Sequence, residues 1–268
     1  MITDVLAIVD LGSTDAGFIS QAEHFAVVRG ARLKIAVCAP VHAFEASLAL
    51  AGGYALADDL GRCAKDKKAD IEAHHISEIK TWEVVCADGD MDDLITELAT
   101  MAHAVDITLV GPPEAYGDRA FRRHTVEHLA LFSGRPVLTL PKHGVADRLE
   151  AAVIGWNGSR EATRALNDAL SLLDGAALID IVTVSTGGMR IDLEQISQHV
   201  HRHGHLVRPH HLAGEHEAGD QLLAFARQSG ASLLVLGAYG HNRISEFVLG
   251  GVTRELIEGA SIPVLFSH

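Results

Sequence analysis

Residues 237–256, GAYGHNRISEFVLGGVTREL, have the residue types and spacing of a phosphate-binding loop. The segment follows the apolar run SLLVLG, leads into a helical pattern and carries four glycines: Gly237, Gly240, Gly250 and Gly251. Exposed N–H groups at a helix N-terminus attract anions, and glycine has no Cβ to block their approach. His241 and Arg243 lie in the same loop. The spacing therefore indicates a phosphate site, and the alternative is a connection whose glycines serve only turns.

Two halves of the chain follow one plan. The runs VLAIVDLGST (5–14) and AAVIGWNGSR (151–160) are both apolar and both end in Gly-Ser. Each is followed by a helical pattern, over residues 16–29 and 161–173, and by a second strand. Each half also has a fourth strand ending in glycine and a last strand led by proline. A repeat of half the chain indicates a duplicated domain, with its seam in the polar stretch 141–150.

The alternation of strands and helices predicts the α/β class. The predicted strands are continuous apolar runs, as expected for parallel strands buried on both faces. Right-handed crossovers then give an open, doubly wound sheet in each half. Such sheets bind ligands at the carboxyl ends of their strands, where the strand order reverses. Every Gly-rich turn named above lies at such an end.

The motif Gly237-x2-Gly240-x9-Gly250, followed by a small residue, resembles the nucleotide-binding signature of the universal stress protein family. The segment Trp156-Asn-Gly-Ser159 and the order of elements in both halves extend the resemblance over the whole chain. It implies a tandem duplication of Rossmann-like domains with five-stranded parallel sheets in the order 3-2-1-4-5. The domains are expected at residues 1–143, with a degenerate nucleotide motif, and at 149–268.

The resemblance also implies an adenine nucleotide in the second half, of the ATP type or AMP or ADP, with Mg²⁺ as a companion ion. The adenosine end is expected at Asn157 and Val184, and the phosphates at the glycine loop. The implied site residues are Asn157, Gly158, Ser159, Val184, Gly237, Ala238, Gly240, Gly250, Gly251, Val252 and Thr253. Asn157 stands where the family usually has Asp, and Gly251 where it usually has Ser or Thr.

The corresponding part of the first half departs from this motif. Gly111 ends its fourth strand, but two prolines follow, and Arg123 and His124 stand near the place of Gly250 and Gly251. Proline has no N–H to donate, so we expect no nucleotide there. The basic residues either form a solvated face or bind another anion through their side chains: Arg119, Arg122, Arg123 and His124. The first half is also a candidate partner surface.

Two groups of metal-ligating residue types have alternative interpretations. Cys38 and Cys86 end strands that are neighbours in the implied order, and His42 is close to Cys38 in sequence. The two thiols either form a metal or redox site or pack as small apolar side chains. Seven histidines lie between His199 and His216. We interpret them as helix-end cations and strand residues, and we predict no metal site.

Composition and motifs exclude several function classes. The net charge of −13 disfavours nucleic acid and anionic membranes as partners. No apolar run is long enough to span a bilayer, the first residues have no basic signal region, and three scattered cysteines fit a reducing compartment, so the cytoplasm is expected. Neither a nucleophile elbow nor a P-loop is present. We predict no catalytic residues and at most slow ATP hydrolysis.

The sequence thus predicts a stress-response protein that binds an adenine nucleotide and acts as a sensor or regulator of a protein partner. One alternative is a stress scaffold without nucleotide, and another is a metal or small-molecule site at the strand ends of the first half. The resemblance further implies that the last strands, PVLTLP and PVLFSH, pair within the chain. A homodimer is the other arrangement of these edges.

Overall fold

The computed structural model describes residues 2–41, 54–74, 82–185, 191–213, 218–238, 256–258 and 260–268. The chain divides into two compact units, Ile2–Arg135 and Pro136–His268. The fifth strand of the first repeat is therefore grouped with the second unit. The domain limits at 143 and 149 remain a prediction from the sequence.

The first unit is a parallel sheet with crossover helices. Its strands lie in the order β3-β2-β1-β4, and β1 pairs with both β2 and β4. The elements in chain order are β1 (Asp4–Val9), α1 (Ala16–Arg29), β2 (Arg32–Val41), α2 (Tyr54–His74), β3 (Trp82–Asp90), α3 (Met91–Ala102), β4 (Ile107–Val110), a 3-10 turn (Pro113–Ala115) and α4 (Arg119–Phe132).

The second unit has the strand order β5-β10-β9-β6-β7-β8. All its pairs are parallel except β5 with β10. The elements are β5 (Val137–Thr139), β6 (Ala151–Gly155), α5 (Arg160–Leu170), β7 (Leu178–Ser185), α6 (Glu194–Arg202), β8 (Leu206–Ala213), α7 (Ala218–Ser229), β9 (Leu233–Gly237) and β10 (Val264–Ser267). Without β5, this is the predicted order 3-2-1-4-5, and the predicted doubly wound α/β fold is confirmed.

The strand sequences explain this arrangement. β4 and β10 are buried along their whole length, as continuous apolar runs covered on both faces should be. β8 instead alternates between more and less exposed residues and lies at the edge of its sheet. Its Pro209 has no N–H to offer a further strand, which protects this edge.

Polar caps fix where the helices begin after the strands. Asp90 accepts hydrogen bonds from the N–H groups of Asp92 and Asp93 at the start of α3. Asp118 caps α4 in the same way. Ser159 Oγ accepts from Ala162 N, at 3.1 Å, at the start of α5. These caps satisfy N–H groups that the first helical turn leaves unpaired.

β10 is covered on one side by β9 and on the other by β5. Val264, Leu265 and Phe266 pair with Thr139, Leu138 and Val137 respectively. A paired strand has no open row of backbone donors and acceptors, so this pairing removes an edge at which other chains would associate.

Across the described residues, every helix is too short or too polar to cross a bilayer.

Candidate functional site

Three adjacent strands of the second unit bring the predicted adenosine-binding residues and the first predicted phosphate contact to one edge. Gly155, at the end of β6, lies opposite Val182 of β7 on one side and Leu236 of β9 on the other. Continuing this register places Asn157, Val184 and Gly237 at nearly the same level. The order β7-β6-β9 is where the sheet changes direction, and ligands of doubly wound sheets bind there.

The turn after β6 is held by its own side chains. Asn157 Oδ1 accepts a hydrogen bond from Ser159 N at 3.0 Å, which forms a local Asx turn. Gly158 has a φ of +75°, a left-handed conformation that favours glycine. Asn157 and Gly158 are exposed and Ser159 is half-buried. The turn therefore presents the Asn157 amide to solvent at the strand edge.

Gly237 is explained by packing inside the protein. A Cβ at this position would lie 2.5 Å from Ala162 N and 2.6 Å from the carbonyl carbon of Glu161. The first turn of α5 thus rests directly on the end of β9. Ala238, the next residue, is fully buried and donates its N–H to Ser267 O at 2.7 Å. These two predicted phosphate contacts therefore also fasten α5 and β10 to the strand end.

Charged groups surround the start of α5. Arg160 Nε donates to Glu161 Oε1 at 2.5 Å, and its Nη2 lies 3.5 Å from His268 Nε2. Burial alone would raise the pKa of Glu161, but hydrogen bonds, first that from Arg160, lower it below its ordinary value. The ionised Glu161 lies at the positive end of the α5 dipole, which favours its charge. His268 Nδ1 is 2.9 Å from Ala238 O.

The rest of the predicted phosphate loop lies outside the described residues. This applies to His241 and Arg243 and to five predicted contacts: Gly240, Gly250, Gly251, Val252 and Thr253. The structure therefore describes the strand-end half of the candidate site.

The matching edge of the first unit is organised around Asp10, which directly follows β1. Asp10 is 2% exposed, and its two carboxylate oxygens accept from Gly12 N and Asp118 N, both at 2.8 Å. One carboxylate thereby joins the β1–α1 turn to the start of α4. Two N–H groups that would otherwise face an anion are used by this side chain.

A buried tyrosine uses a third N–H group. Tyr116 accepts from Gly111 N at 3.2 Å and donates its hydroxyl to Ile8 O at 2.5 Å. Burial raises the pKa of this phenol, so it stays protonated and can donate. Arg122 is 3% exposed, and its Nε donates to Gly111 O at 2.6 Å. The end of β4 is thus bonded to protein groups on both its N–H and its C=O.

The two loops of the first unit also touch each other. A Cβ on Gly12 would lie 2.5 Å from Gly117 N, and Thr14 Oγ1 donates to Glu114 O at 2.6 Å. The crevice at the strand-order reversal is therefore closed by backbone contact. The expectation that the first half does not hold a nucleotide stays a prediction.

A lysine from a distant helix completes the closure. Lys67, on α2, donates from Nζ to Asp10 O at 2.7 Å and to Gly12 O, and it pairs with Asp15 Oδ2 at 2.6 Å. The side chains of Lys67 and Asp15 are 14% and 7% exposed. The ammonium group therefore has oxygen acceptors from both sides of the β1–α1 turn.

The basic residues of α4 do not present one common face. Arg122 is directed into the protein, and Arg123 pairs with Glu127 along the helix at 3.6 Å. Arg119 and His124 are exposed. This arrangement does not favour the alternative of an anion bound jointly by these four side chains.

The two strand cysteines lie on opposite faces of the sheet. Cys86 is in register with Val37, so Cys38, the next residue along β2, points the other way. Cys86 Sγ lies 3.4 Å from Ala64 O on α2. Burial raises the pKa of the Cys38 thiol. This geometry contradicts a shared site of these two thiols, and His42 is outside the described residues.

Several histidines of the stretch 199–216 have local partners. The rings of His199 and His203 meet edge to face with centroids 4.7 Å apart. His210 Nε2 is 2.7 Å from Asp180 Oδ1. Within the ranges that the structure describes, no group of three or more His, Cys, Asp or Glu residues is arranged to hold a metal ion.

Asp10, Tyr116 and Lys67 were not among the residues predicted from the sequence. A sequence signal was available for Lys67. Ala64 and Ile71 are buried on one face of α2, and Lys67 lies between them at helical spacing on the same face. A charged residue on an otherwise apolar stripe needs a partner. The sequence does not say which partner it has.

Comparison with known proteins finds a family match for the second half of the chain and a common fold for nearly the whole chain. Residues 150–268 match the model of the Universal stress protein family. The chain is similar to a universal stress protein from Archaeoglobus fulgidus DSM 4304, with a TM-score of 0.66 and 16% identity over 98% of this chain and 95% of that one. No curated protein matches the chain.

Two structures from Pseudomonas aeruginosa have the same architecture. One is a protein of unknown function from strain PAO1, with a TM-score of 0.56 and 12% identity over 99% of this chain and 92% of that one. The other is a candidate universal stress protein from strain UCBPP-PA14, with a TM-score of 0.56 and 13% identity over 99% and 93%. At these identities the likeness shows a common fold over nearly the whole chain.

Proposed function

Starting from the universal stress protein domain at residues 150–268, we propose that this protein binds one adenine nucleotide in its second repeat. The ligand is of the ATP type, or AMP or ADP, with Mg²⁺ as a companion ion. Nucleotide occupancy changes the association of the protein with a protein partner in the cytoplasm. The thiols Cys38, Cys63 and Cys86 are unbridged, which fits a reducing compartment.

The observation that carries this proposal is the register across β7, β6 and β9. It supports a single ligand edge with Val184, Asn157 and Gly237 at one level, where the strand order reverses. The edge has an exposed amide at Asn157, and the predicted glycine loop begins at Gly237. In the first repeat, backbone N–H groups at the same edge already donate hydrogen bonds to Asp10 and Tyr116. We therefore expect one nucleotide per chain.

Calorimetric titration of nucleotide-stripped protein with MgATP tests the proposal. We expect one site per chain with micromolar affinity. Asn157→Leu gives the second turn the residue that the first repeat has at Leu11, and we expect it to weaken binding at least about tenfold, as loss of a hydrogen bond to the ligand should. The matched control is Leu11→Asn, which should bind as the natural chain does.

The control separates a local effect from loss of the fold. Asn157→Leu must keep the circular dichroism and unfolding temperature of a folded protein for its result to count. If Leu11→Asn weakens binding as much as Asn157→Leu does, or if the stoichiometry is two, then the assignment to the second repeat is wrong. Titrations with AMP and ADP under the same conditions compare the affinity for nucleotides with one, two and three phosphates.

A scaffold without nucleotide is the second candidate, and two observations favour it. Gly237 is required by the packing of α5, and Asn157 Oδ1 is already bonded within its own turn. On this view both residues serve the fold alone. Absence of heat with all three nucleotides, together with an intact fold, would select the scaffold.

A further inference from the structure

The strand-end crevice of the first repeat contains a positively charged group supplied by the chain itself. Crevices of doubly wound sheets are open to ligands where the strand order reverses, which in this repeat is between β1 and β4. Lys67 extends to this place from α2. Its ammonium binds two main-chain oxygens, Asp10 O and Gly12 O, and the carboxylate of Asp15.

We propose that the ammonium of Lys67 is an internal ligand of the first repeat, which latches α2 to the β1–α1 turn and keeps the crevice closed. This role is separate from nucleotide binding in the second repeat. A charge that is only 14% exposed is retained because three acceptors replace its water. We call the three acceptors, Asp10 O, Gly12 O and the Asp15 carboxylate, the cradle. Once the lysine side chain is removed, the chemical class of ligand that fits this cradle is a short primary ammonium ion.

The surroundings of the ammonium support a built cradle rather than a chance surface pair. Asp15 is buried, and Asp10 is fixed by the N–H groups of Gly12 and Asp118. The two main-chain acceptors are therefore held in place by bonds that do not involve Lys67. The counterpart of α2 in the second repeat, α6, contains no lysine. The latch belongs to the first repeat alone.

Neighbouring lysines on α2 give a matched comparison. Lys68 is more exposed than Lys67 and lies 3.7 Å from Glu72 on the same helix. Lys67→Ala and Lys68→Ala therefore remove the same side chain and the same charge from consecutive positions. Only the first change empties the cradle.

The test measures amide hydrogen exchange of residues 10–19 and 54–74 in the full chain. We expect Lys67→Ala to accelerate exchange in the β1–α1 turn about ten- to a hundredfold, as loss of charge-assisted hydrogen bonds should. Lys68→Ala should exchange like the natural chain. Propylammonium, which replaces the three methylenes and the ammonium that alanine lacks, should restore protection to Lys67→Ala. Tetramethylammonium, which has no N–H, should not.

Two results would overturn the latch. One is equal exchange in Lys67→Ala, Lys68→Ala and the natural chain, and the other is equal rescue by both ammonium ions. If Lys67→Ala folds only with propylammonium, the proposal is supported.

If Lys67→Ala does not fold under either condition, then Lys67→Met and Asp15→Asn are measured singly and together. Penalties that simply add would exclude the interaction, whereas a smaller penalty for Lys67→Met in the Asp15→Asn background would support it. All these readouts lie within Ile2–Arg135, so they do not depend on whether the second repeat binds nucleotide.

Discussion

At the residue scale, the glycines that end the fourth strands have the same task in both repeats. A Cβ on Gly111 would lie 2.6 Å from the Phe18 ring of α1, and one on Gly237 would meet the backbone of α5. In each repeat the first helix packs onto the end of the fourth strand. Such a glycine is required for packing even where it also begins a nucleotide motif. Loss of nucleotide binding in a glycine variant therefore does not by itself identify a ligand contact.

Gly237→Ala is expected to destabilise the protein by about 1–3 kcal/mol, because the neighbouring atoms belong to the backbone and cannot rotate away. Gly17→Ala is the control, since Gly17 lies in α1 with no atom within 4 Å of the added Cβ. That change should leave stability unchanged or raise it by up to about 1 kcal/mol. Urea unfolding of both variants measures the difference. Equal stabilities would mean that Gly237 is not required for packing.

At the element scale, β7 and β8 are joined near the sheet edge by an ion pair between the buried Asp180 and the half-exposed Arg208. Asp180, whose side chain is 4% exposed, accepts from Arg208 Nε and Nη2, both at 2.7 Å, and contacts His210. Burial alone would raise the pKa of Asp180, but the bonds from Arg208 and His210 lower it below the ordinary value. The edge strand β8 therefore depends on a charged Asp180 as well as on its backbone ladder.

This pair predicts a pH-dependent contribution to stability. Because the folded pKa of Asp180 is lowered, its contribution is present above the ordinary aspartate pKa of about 4 and is lost as pH falls through the folded value. Arg208→Met should cost about 1–2 kcal/mol at pH 7, a modest value because Arg208 is half exposed and screened by solvent. The cost should begin to shrink as the pH falls below about 4, where Asp180 of the unfolded chain becomes protonated, and it should disappear only below the lowered folded pKa.

Urea unfolding from pH 7 to pH 3 measures this cost. Arg202→Met, at the exposed end of α6, removes the same charge from the same unit and should show no such trend. A cost that is independent of pH, or equal to that of Arg202→Met, would contradict the assigned role of the pair.

Much of each element was predictable because its signals are local. α1 spans Ala16–Arg29 as predicted, with Gly30 at φ +63° at its end. The helix predicted over 161–173 instead spans Arg160–Leu170. After Leu170 the backbone tightens into i to i−3 bonds at Ser171 and Leu172, while the apolar pattern continues. Periodicity marks which side chains are buried, and it does not mark where the hydrogen-bond pattern changes.

At the scale of the whole molecule, sequence patterns do not reveal contacts between distant segments. Lys67 and Asp10 are 57 positions apart, and Tyr116 and Ile8 are 108 apart. The strand ends and the edge that they share follow from the alternation of strands and helices. The side chains that fill a crevice at that edge depend on the exact placement of several elements, which no local pattern encodes. The sequence therefore predicted the strand order and the edge at which the strands end, but it did not predict how the crevice of the first repeat is closed.

The placement of β5 against β10 leads to a prediction about fragments of the chain. Val264, Leu265 and Phe266 are fully buried, and β5 covers their open side. A fragment of residues 136–268 keeps β5, whereas a fragment of residues 144–268 leaves β10 as an exposed apolar edge. We expect the shorter fragment to associate at concentrations at which the longer one stays monomeric, because unpaired edge strands recruit other chains.

Sedimentation velocity over a concentration series compares the two fragments. The two fragments differ only in residues 136–143, so a difference between them reports on the segment that contains β5. Leu138→Pro in the longer fragment offers a test without deletion, because proline is poorly accommodated at the centre of a paired strand and should shift the longer fragment toward the shorter one. Identical sedimentation of all three would mean that β5 does not protect this edge.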